Sequence, residues 1–494
     1  MLNSLLPSPS FDPAAGSGKL AAEPQAPRGV VATIARHEAG RQMASLRFRL
    51  VSVLLLGLLV LPAFTASERY DRERRSQAEV AASHDASLRG MTVDGLAEVR
   101  HPALRPPWRL AFAVDGGQAA TPDVYEQALS PLIAPVLRRA ERGNDRLPGP
   151  APLDWMFVIR VVLSLAAFLL GHDAICGERQ IGTLKLLMSY PVPRWRILAG
   201  KLAALWGCLA VPFLAGAGLS LALVFALGRA PLGAVDLVKA GLVVLLGLWA
   251  AAFFALAGLA VSAAARTSST SLSVLALLWV GAVVAVPALG HLLAHRLSPI
   301  PAEGEIERRM LEVQRRIARE HAGHEGRWRA PDWAANDGYA WEKASARVET
   351  ERRHLQEEIR WWVIGRKLEQ ARTARLLSAL SPALLIQDLG ERLTGSGVRR
   401  DQEFLAQARA YRAVLADRVR RLDQADPASP HILFFEGYLS RRTVPPGSLP
   451  PFAFREIPMA GALAAARAPL ALLALETLLL AGFVFRPRKA GALP

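Results

Sequence analysis

Cysteine is nearly absent from this chain of 494 residues, which contains only Cys176 and Cys208. Two thiols that fall in or beside apolar stretches exclude a disulfide framework and a cysteine-based metal site outside a membrane. The chain also lacks a phosphate-binding loop. GSGKL at 16–20 is the nearest approach, but Pro13 stands where the first glycine is required and Leu20 where serine or threonine is required. No motif for nucleotide hydrolysis is therefore present.

Catalytic motifs are missing as well. Neither the G-x-S-x-G elbow of serine hydrolases nor the helical motif of zinc proteases occurs. REHAGHE brings His321, His324 and Glu325 together, and two histidines three residues apart could hold a metal from one helix face. Neighbouring glycines break that helix, so a solvated helix end is the preferred interpretation. We predict no catalytic residue, no metal site and no cofactor bound by this chain.

What the sequence does contain is long apolar runs. The hydrophobic fraction is 52% and the mean hydropathy is +0.22. A helix needs about 20 apolar residues to cross a bilayer. Six runs approach or exceed that length: 50–66, 153–172, 202–227, 235–263, 270–295 and 459–485. The sequence therefore predicts an all-α membrane protein with six transmembrane helices.

Basic residues are concentrated in the short connections, and the formal net charge is +16. Residues 1–27 are predicted to be a disordered leader, and 28–49 a basic amphipathic elbow helix before the first span. Because short cytoplasmic loops are enriched in Lys and Arg, both termini, including the tail 486–494, are predicted to be cytoplasmic. No basic-and-aromatic motif for nucleic acid occurs, so membrane lipid is the expected partner of this charge.

Two long hydrophilic segments, 67–152 and 296–458, would then face the outside. The second shows helical spacing of apolar residues within nearly balanced charge, which predicts a mostly helical extracytoplasmic domain. Its apolar stretch LLSALSPALLIQDLGERLTGSG is too short to span and is expected to pack on the spans or lie at the membrane surface. In the first segment, RPPWRLAFAVDG (105–116) contains a candidate short strand.

The stretch GERQIGTLKLLMSYPVPRWRILAGK lies in the connection 173–201, between the second and third spans. Its apolar stripe (Ile181, Leu184, Leu187 and Met188) beside charged residues predicts a short amphipathic helix. The two prolines of PVP end that helix, and RWRILAGK restarts one that enters the third span. A helix held in this way can dock in a groove of a cytoplasmic partner.

The pattern E-R-x-x-G-T-L-x-L-L-x-x-x-P-V-x-R-x-x-I-x-x-G-K resembles the same connection in permeases of type 2 ATP-binding cassette (ABC) exporters. The large segment before the last span is similar to a subgroup of these permeases with an extracytoplasmic helical insertion. The resemblance implies a coupling helix that contacts an ATPase subunit. The residues of this chain that match the motif, and are therefore expected to take part in the coupling, are Glu178, Arg179, Gly182, Thr183, Leu184, Leu187, Pro191, Arg194, Gly200 and Lys201.

The resemblance also implies which partner proteins the chain has and in which membrane it lies. ATP and Mg²⁺ would be held by a separate cytoplasmic ABC ATPase, and a second permease, identical or homologous, would complete the complex. The location would be the bacterial inner membrane. Two functions remain open. One is ATP-driven export of a substrate, and the other is a mechanical complex that acts on an extracytoplasmic protein without transport.

Two charged residues inside the predicted spans are candidates for function, because such charges are costly in a bilayer. Arg160 lies in the second span, where snorkelling to the membrane surface is the alternative explanation. Glu476 lies deeper, in the sixth span, where it could line a path or pair with another span.

Overall fold

The computed structural model describes residues 29–118, 120–140, 153–189, 192–321, 339–434, 436–445 and 447–486. The predicted leader and nearly all of the tail lie outside these ranges, as do His324 and Glu325.

Six helices in the described ranges are long and apolar enough to cross a membrane, which confirms the predicted all-α membrane fold. They are TM1 (Leu46–Ser87), TM2 (within Trp155–Ile181), TM3 (Arg194–Leu227), TM4 (Ala234–Ala264), TM5 (Ser268–Leu297) and TM6 (Met459–Phe485). Eight further helices are α1 (Val30–Ala44), α2 (Val93–Glu98), α3 (Cys176–Ile181), α4 (Thr183–Met188), α5 (Glu303–Glu320), α6 (Ala340–Ser378), α7 (Pro382–Thr394) and α8 (Val398–Gln424).

Short polar side chains fix where the spans begin. The hydroxyl of Ser45 accepts a hydrogen bond from the Phe48 amide at 3.2 Å at the start of TM1. Asp154 accepts one from the Phe157 amide at 2.7 Å at the start of TM2. Each cap satisfies one of the amides that a helix N-terminus leaves unpaired, and this matters most at the edge of an apolar environment.

Two spans contain a π-helical turn. TM2 runs from an α-helical start (Trp155–Phe157) through a π-helical turn (Val158–Leu163) to an α-helical continuation (Ser164–Gly171). TM5 has its π-helical turn at Gly281–Ala285, separated from Pro287 by one residue. Proline donates no backbone hydrogen bond and crowds the preceding turn, so the wider turn in TM5 relieves that crowding.

Glycines allow the spans to pack closely. A Cβ on Gly247 of TM4 would lie 2.3 Å from the Phe213 ring of TM3, and one on Gly216 of TM3 would lie 2.7 Å from Leu59 of TM1. Small residues at such crossings let helix backbones approach each other, which is the main source of packing energy between apolar helices in a membrane.

The two long hydrophilic segments form one domain together. The carboxylate of Asp94 in α2 accepts hydrogen bonds from the backbone amides of Gly437 at 2.7 Å and Leu439 at 3.0 Å. Gln127 donates to the Ala408 carbonyl of α8 at 2.9 Å, and Arg105 forms an ion pair with Asp401. We call the end of the bundle that carries this domain the domain side, and the opposite end, with α1, α3 and α4, the elbow side.

A small antiparallel sheet, β1 (His101–Leu104), β2 (Val124–Gln127) and β3 (Val136–Arg138), lies within this mostly helical domain. The candidate strand at 105–116 is wrong: β1 ends at Leu104, and residues 109–113 form turns. Strand pairing depends on β2, which is distant in the sequence, so local composition could not place the edge.

Helix α7 joins the domain to the spans. It packs on TM4 and TM6 and buries Leu385, Ile386 and Leu389 in the core of the bundle. A Cβ on Gly390 would lie 2.5 Å from the sulfur of Met156 in TM2. The apolar stretch that contains α7 therefore packs on the spans, one of the two expected outcomes, and the domain is continuous with the bundle.

We expect the stability of the domain to depend on His101, which is 1% exposed. Its Nε2–H donates to the Leu96 carbonyl at 2.8 Å. Burial lowers the pKa of His101 from 6.5 to about 4, so the folded chain keeps this ring neutral where an unfolded chain protonates it. This contribution to stability is present above pH 6.5 and is lost as the pH falls towards 4, by about 3 kcal/mol in all.

The measurement is the midpoint of thermal unfolding in detergent at pH 7 and at pH 5. His101→Gln should narrow the difference between the two midpoints. An equal difference in the wild type and the variant would show that His101 does not contribute.

Candidate functional site

The connection between TM2 and TM3 contains two short helices rather than the single predicted one. Gly182 lies between α3 and α4 with φ +87°, in the left-handed region that disfavours side chains. It ends α3 and allows the chain to turn into α4. The prediction that a helix restarts at Arg194 is matched by the start of TM3.

A buried charge network lies at the centre of this region. The Nζ of Lys201, only 2% exposed, is 2.5 Å from an oxygen of Glu38 in α1 and 2.6 Å from an oxygen of Glu178 in α3. Arg41 adds a second cation, 2.7 Å from Glu38 and 3.9 Å from Glu178. Two carboxylates and two cations therefore balance each other where α1, α3 and TM3 meet.

The acidity of Glu38 reflects this setting. Burial is the largest influence and would raise its pKa, but the charges of Lys201 and Arg41 and the hydrogen bonds of Glu38 together outweigh burial, and the pKa of Glu38 is lowered. Charged partners favour the ionised carboxylate of Glu38. The contribution of this carboxylate to stability is present above the ordinary pKa of a glutamate and is lost as the pH falls through the lowered pKa.

Arg179 and Gln180 connect α3 to the ends of two other spans. The guanidinium of Arg179 donates to the carbonyl oxygens of Ala265 at 2.6 Å and Ala263 at 3.1 Å, at the C-terminus of TM4. Gln180 accepts hydrogen bonds from the amide and hydroxyl of Ser268 at 3.1 Å and 2.8 Å, at the start of TM5. A cation at a helix C-terminus also complements the helix dipole.

Gly200 lets α1 lie directly on TM3. A Cβ at this position would lie 2.7 Å from the Ile34 side chain of α1, so a larger residue would push the elbow helix away. Ile197, one turn earlier on TM3, is also buried. The position thus serves the packing of the elbow helix.

The outer surface of the connection exposes two large apolar side chains. Ile181 is 78% exposed and Leu186 is 70% exposed, whereas Leu184 packs against the core of the bundle. Thr183 and Lys185 are also exposed. The predicted apolar stripe is therefore divided: Leu184 faces inward and Ile181 faces outward. We call the exposed set Ile181, Thr183, Lys185 and Leu186 the loop surface.

The predicted coupling residues thus fall into groups. Glu178, Arg179 and Lys201 face inward and hold elements together, and Gly182 and Gly200 shape the backbone. Thr183 belongs to the loop surface, and Arg194 is exposed at the start of TM3. The side chain of Leu187 and the whole of Pro191 lie outside the described part of the chain. Sequence reasoning missed Glu38, whose only signal is a lone acid in a basic helix.

The two charged candidates within the spans lie apart from this connection. Arg160 is in the π-helical turn of TM2, where Asp154 and Glu391 are the acids whose charges act on it. Its Nε is buried without a hydrogen-bond partner among the described residues. One carboxylate oxygen of Glu476 in TM6 is likewise buried and unpartnered. Both residues stay candidates for function.

Of the cluster His321, His324 and Glu325 considered from the sequence, only His321 lies in the described part of the chain, where it meets two other acids. His321 lies 3.4 Å from Glu351, and Glu320 is close to both. The three residues are at or near the surface, where acidic groups and a histidine commonly meet without a metal.

The chain matches the family model described as ABC-2 family transporter protein over residues 32–416. It belongs to this family and is a multi-pass transporter permease subunit, as the resemblance indicated. Over 57 residues the chain is 46% identical to Probable ABC transporter permease protein NosY of Stutzerimonas stutzeri. That match covers 12% of this chain and only 21% of the relative's length.

We predict that Lys201→Met destabilises the protein by about 3 kcal/mol, because two buried carboxylates lose their shared cation. The triple variant with Glu38→Gln and Glu178→Gln should recover much of this loss, because it removes the uncompensated charge. The measurement is the apparent free energy of unfolding in detergent micelles. Lys185→Met, an exposed lysine of the same connection, is the matched control and should change stability by less than about 0.5 kcal/mol. Equal effects of Lys201→Met and Lys185→Met would contradict the role of the network.

Proposed function

We propose that this permease subunit receives movement from a separate cytoplasmic ABC ATPase through the loop surface and uses it to export a substrate. The observation that carries this proposal is the combination of an exposed apolar surface on α3 and α4 with rigid attachment of the same helices to several spans. Exposed apolar side chains on a short helix suit docking in a groove of a partner.

The contacts that attach α3 to several spans explain how a displacement of α3 would be transmitted to the bundle. Lys201 connects α3 to TM3 and to the elbow helix, Arg179 connects it to the end of TM4, and Gln180 to the start of TM5. Because packed elements shift as rigid bodies, displacement of α3 would move several spans together. Binding energy released by closure of the ATPase pair would thereby favour one arrangement of the bundle over another.

The proposed orientation places the elbow side in the cytoplasm of a bacterial cell, with both termini there. The support is the excess of Lys and Arg in the short connections on that side, including Arg194 and Arg266. The domain then faces the outside of the inner membrane. ATP and Mg²⁺ would be bound by the ATPase, because no nucleotide-binding motif occurs in this sequence.

The loop surface is the place to test coupling. Ile181→Asp and Leu186→Asp should each lower by at least about tenfold the ATPase activity that the permease stimulates in its partner, because a desolvated carboxylate opposes docking. The measurement is ATP hydrolysis by the reconstituted complex. These positions are better suited than Glu178, whose replacement would also disturb the buried network.

Leu311→Asp supplies the matched control, because it exchanges an exposed leucine of α5 in the domain, 42% exposed, for the same acid. It should leave the stimulated ATPase activity unchanged. Full stimulation and normal co-purification of the ATPase with Ile181→Asp and Leu186→Asp would contradict coupling through this surface.

A second permease is proposed to lie against TM5. Only 6% of the apolar part of this span is buried within the chain, and Leu277 is 75% exposed. An apolar helix with so little internal packing faces lipid or another protein. The pairing implied by the family makes a second copy of the chain the partner that we propose.

Single-cysteine cross-linking tests this pairing. In a chain with Cys176 and Cys208 replaced by alanine, Leu277→Cys should form an oxidative dimer in membranes, because it lies on the exposed face. Leu275→Cys is the matched control, since Leu275 is on the same helix but 0% exposed, and it should stay monomeric. Absence of a dimer for Leu277→Cys and for other exposed positions of TM5 would mean that this face contacts lipid or a different permease.

The mechanical function is the second candidate, and the junction of the domain favours it. Arg392 of α7 and Arg399 of α8 donate to the carbonyl oxygens of Ala465 at 3.2 Å and Gly461 at 3.4 Å in TM6. Movement of TM6 would thus move the domain even if nothing crossed the membrane. Both functions require the loop surface; ATP-driven uptake of a substrate into proteoliposomes is the measurement that separates them.

A further inference from the structure

A cavity of about 380 Å³ lies on the elbow side, beneath α4 and between the start of TM3 and the ends of TM4 and TM6. Leu184, Leu198, Phe483 and Val484 supply much of its apolar wall. The cavity is therefore located where the apolar spans give way to the polar connections, next to the network formed by Glu38, Glu178 and Lys201.

The charged residues that line this cavity are all basic. They are Arg179, Arg194, Lys201 and Arg486, and no aspartate or glutamate is among the lining residues. Arg179 and Lys201 already have partners, namely the TM4 carbonyl oxygens and the two buried carboxylates. Arg194 and Arg486 are exposed, and neither makes a hydrogen bond or ion pair with another residue in the described part of the chain. Within the described residues, these two cations have no partner and can therefore meet a ligand.

An aromatic side chain marks the same boundary. Trp195 lines the cavity, is 53% exposed, and has the Arg196 guanidinium 5.4 Å from its ring centroid. Tryptophan and arginine side by side at the end of a span are typical of the headgroup level of a bilayer. A ligand in this cavity would therefore have one end among lipid headgroups and the other among apolar helix ends.

We propose that this cavity binds an anionic glycerophospholipid from the surrounding leaflet. Its phosphate lies between Arg194 and Arg486, and one acyl chain lies along Leu198, Phe483 and Val484. Charge complementarity supports a lipid over the chain's own tail, because residues 487–494 include Arg488 and Lys489 and no acidic side chain. An apolar wall rimmed by the two exposed arginines matches an amphiphilic anion better than a water-soluble one.

The lipid would add a contact between two spans to the contacts seen among the described residues. It joins the end of TM6, through Arg486, to the start of TM3, through Arg194, beneath the connection that carries the loop surface. The inference does not depend on the proposed coupling, because lipid binding requires no ATPase and is measured on the permease alone.

Quenching of Trp195 fluorescence by lipids brominated on their acyl chains tests the proposal. The full-length chain is reconstituted with increasing mole fractions of brominated phosphatidylglycerol or brominated phosphatidylcholine in an unlabelled phosphatidylcholine bilayer. The signal of Trp195 is the difference between the chain and its Trp195→Phe variant. The mole fraction of brominated lipid that gives half-maximal quenching should be lower for phosphatidylglycerol than for phosphatidylcholine, by about tenfold or more. The reason is that each arginine near the membrane surface favours anionic lipid.

The double variant Arg194→Gln with Arg486→Gln should lose this preference. Arg266→Gln, an exposed arginine on the same side that does not line the cavity, should keep it. Thermal unfolding midpoints equal to that of the wild type show that the variants are folded. Equal quenching by the two lipids, or an unchanged preference in the double variant, would overturn the proposal.

Two further outcomes identify other occupants and would also overturn it. If millimolar inorganic phosphate abolishes the preference, the site binds free phosphate rather than lipid. If the preference arises only after the chain is truncated behind Arg486, the tail occupies the cavity in the full-length protein. Persistence of the preference in the presence of phosphate, in the untruncated chain, supports the lipid.

Discussion

The buried charge network of Lys201 with Glu38 and Glu178 is the interaction on which the elbow side depends. Ions removed from water are tolerated only when each finds its partner, and here the partners come from α1, α3 and TM3. The ion pairs therefore fix the positions of α1, α3 and TM3 relative to one another. Arg179 and Gln180 then extend this mutual dependence to TM4 and TM5, and a connection that looks like a surface loop acts as part of the bundle.

The domain side is held together by contacts between two segments that are far apart in the sequence. There the two hydrophilic segments complete each other, because Asp94 satisfies the amides of residues more than 340 positions later, and Arg105 pairs with Asp401. Helix α7 then inserts its apolar face among TM4 and TM6. The apolar face of α7 is thereby buried in the core of the bundle, while other parts of the domain form hydrophobic clusters of their own.

Much of the fold could be predicted from the sequence, because membrane spans and amphipathic helices are recognisable from the local pattern of hydropathy. The partners of Lys201 and Asp94 could not, since a buried ion pair between distant residues leaves no local pattern. The division of the predicted helix at Gly182 could not be foreseen either: a glycine inside an apolar stripe is tolerated in a helix as well as at its end. The sequence also did not reveal that Glu178 and Arg179, two charged residues of the motif, face inward.

TM1 is a continuous helix of 42 residues, which makes it about 63 Å long, roughly twice the hydrocarbon thickness of a bilayer. It begins next to the elbow helix and ends inside the domain, where Gln77 donates to the Arg105 carbonyl at 2.7 Å. Such a helix is a lever arm. A tilt of about 10° around its elbow end would carry its far end through about 11 Å by simple trigonometry on that length. Small rotations on one face of the membrane are thereby geometrically amplified on the other.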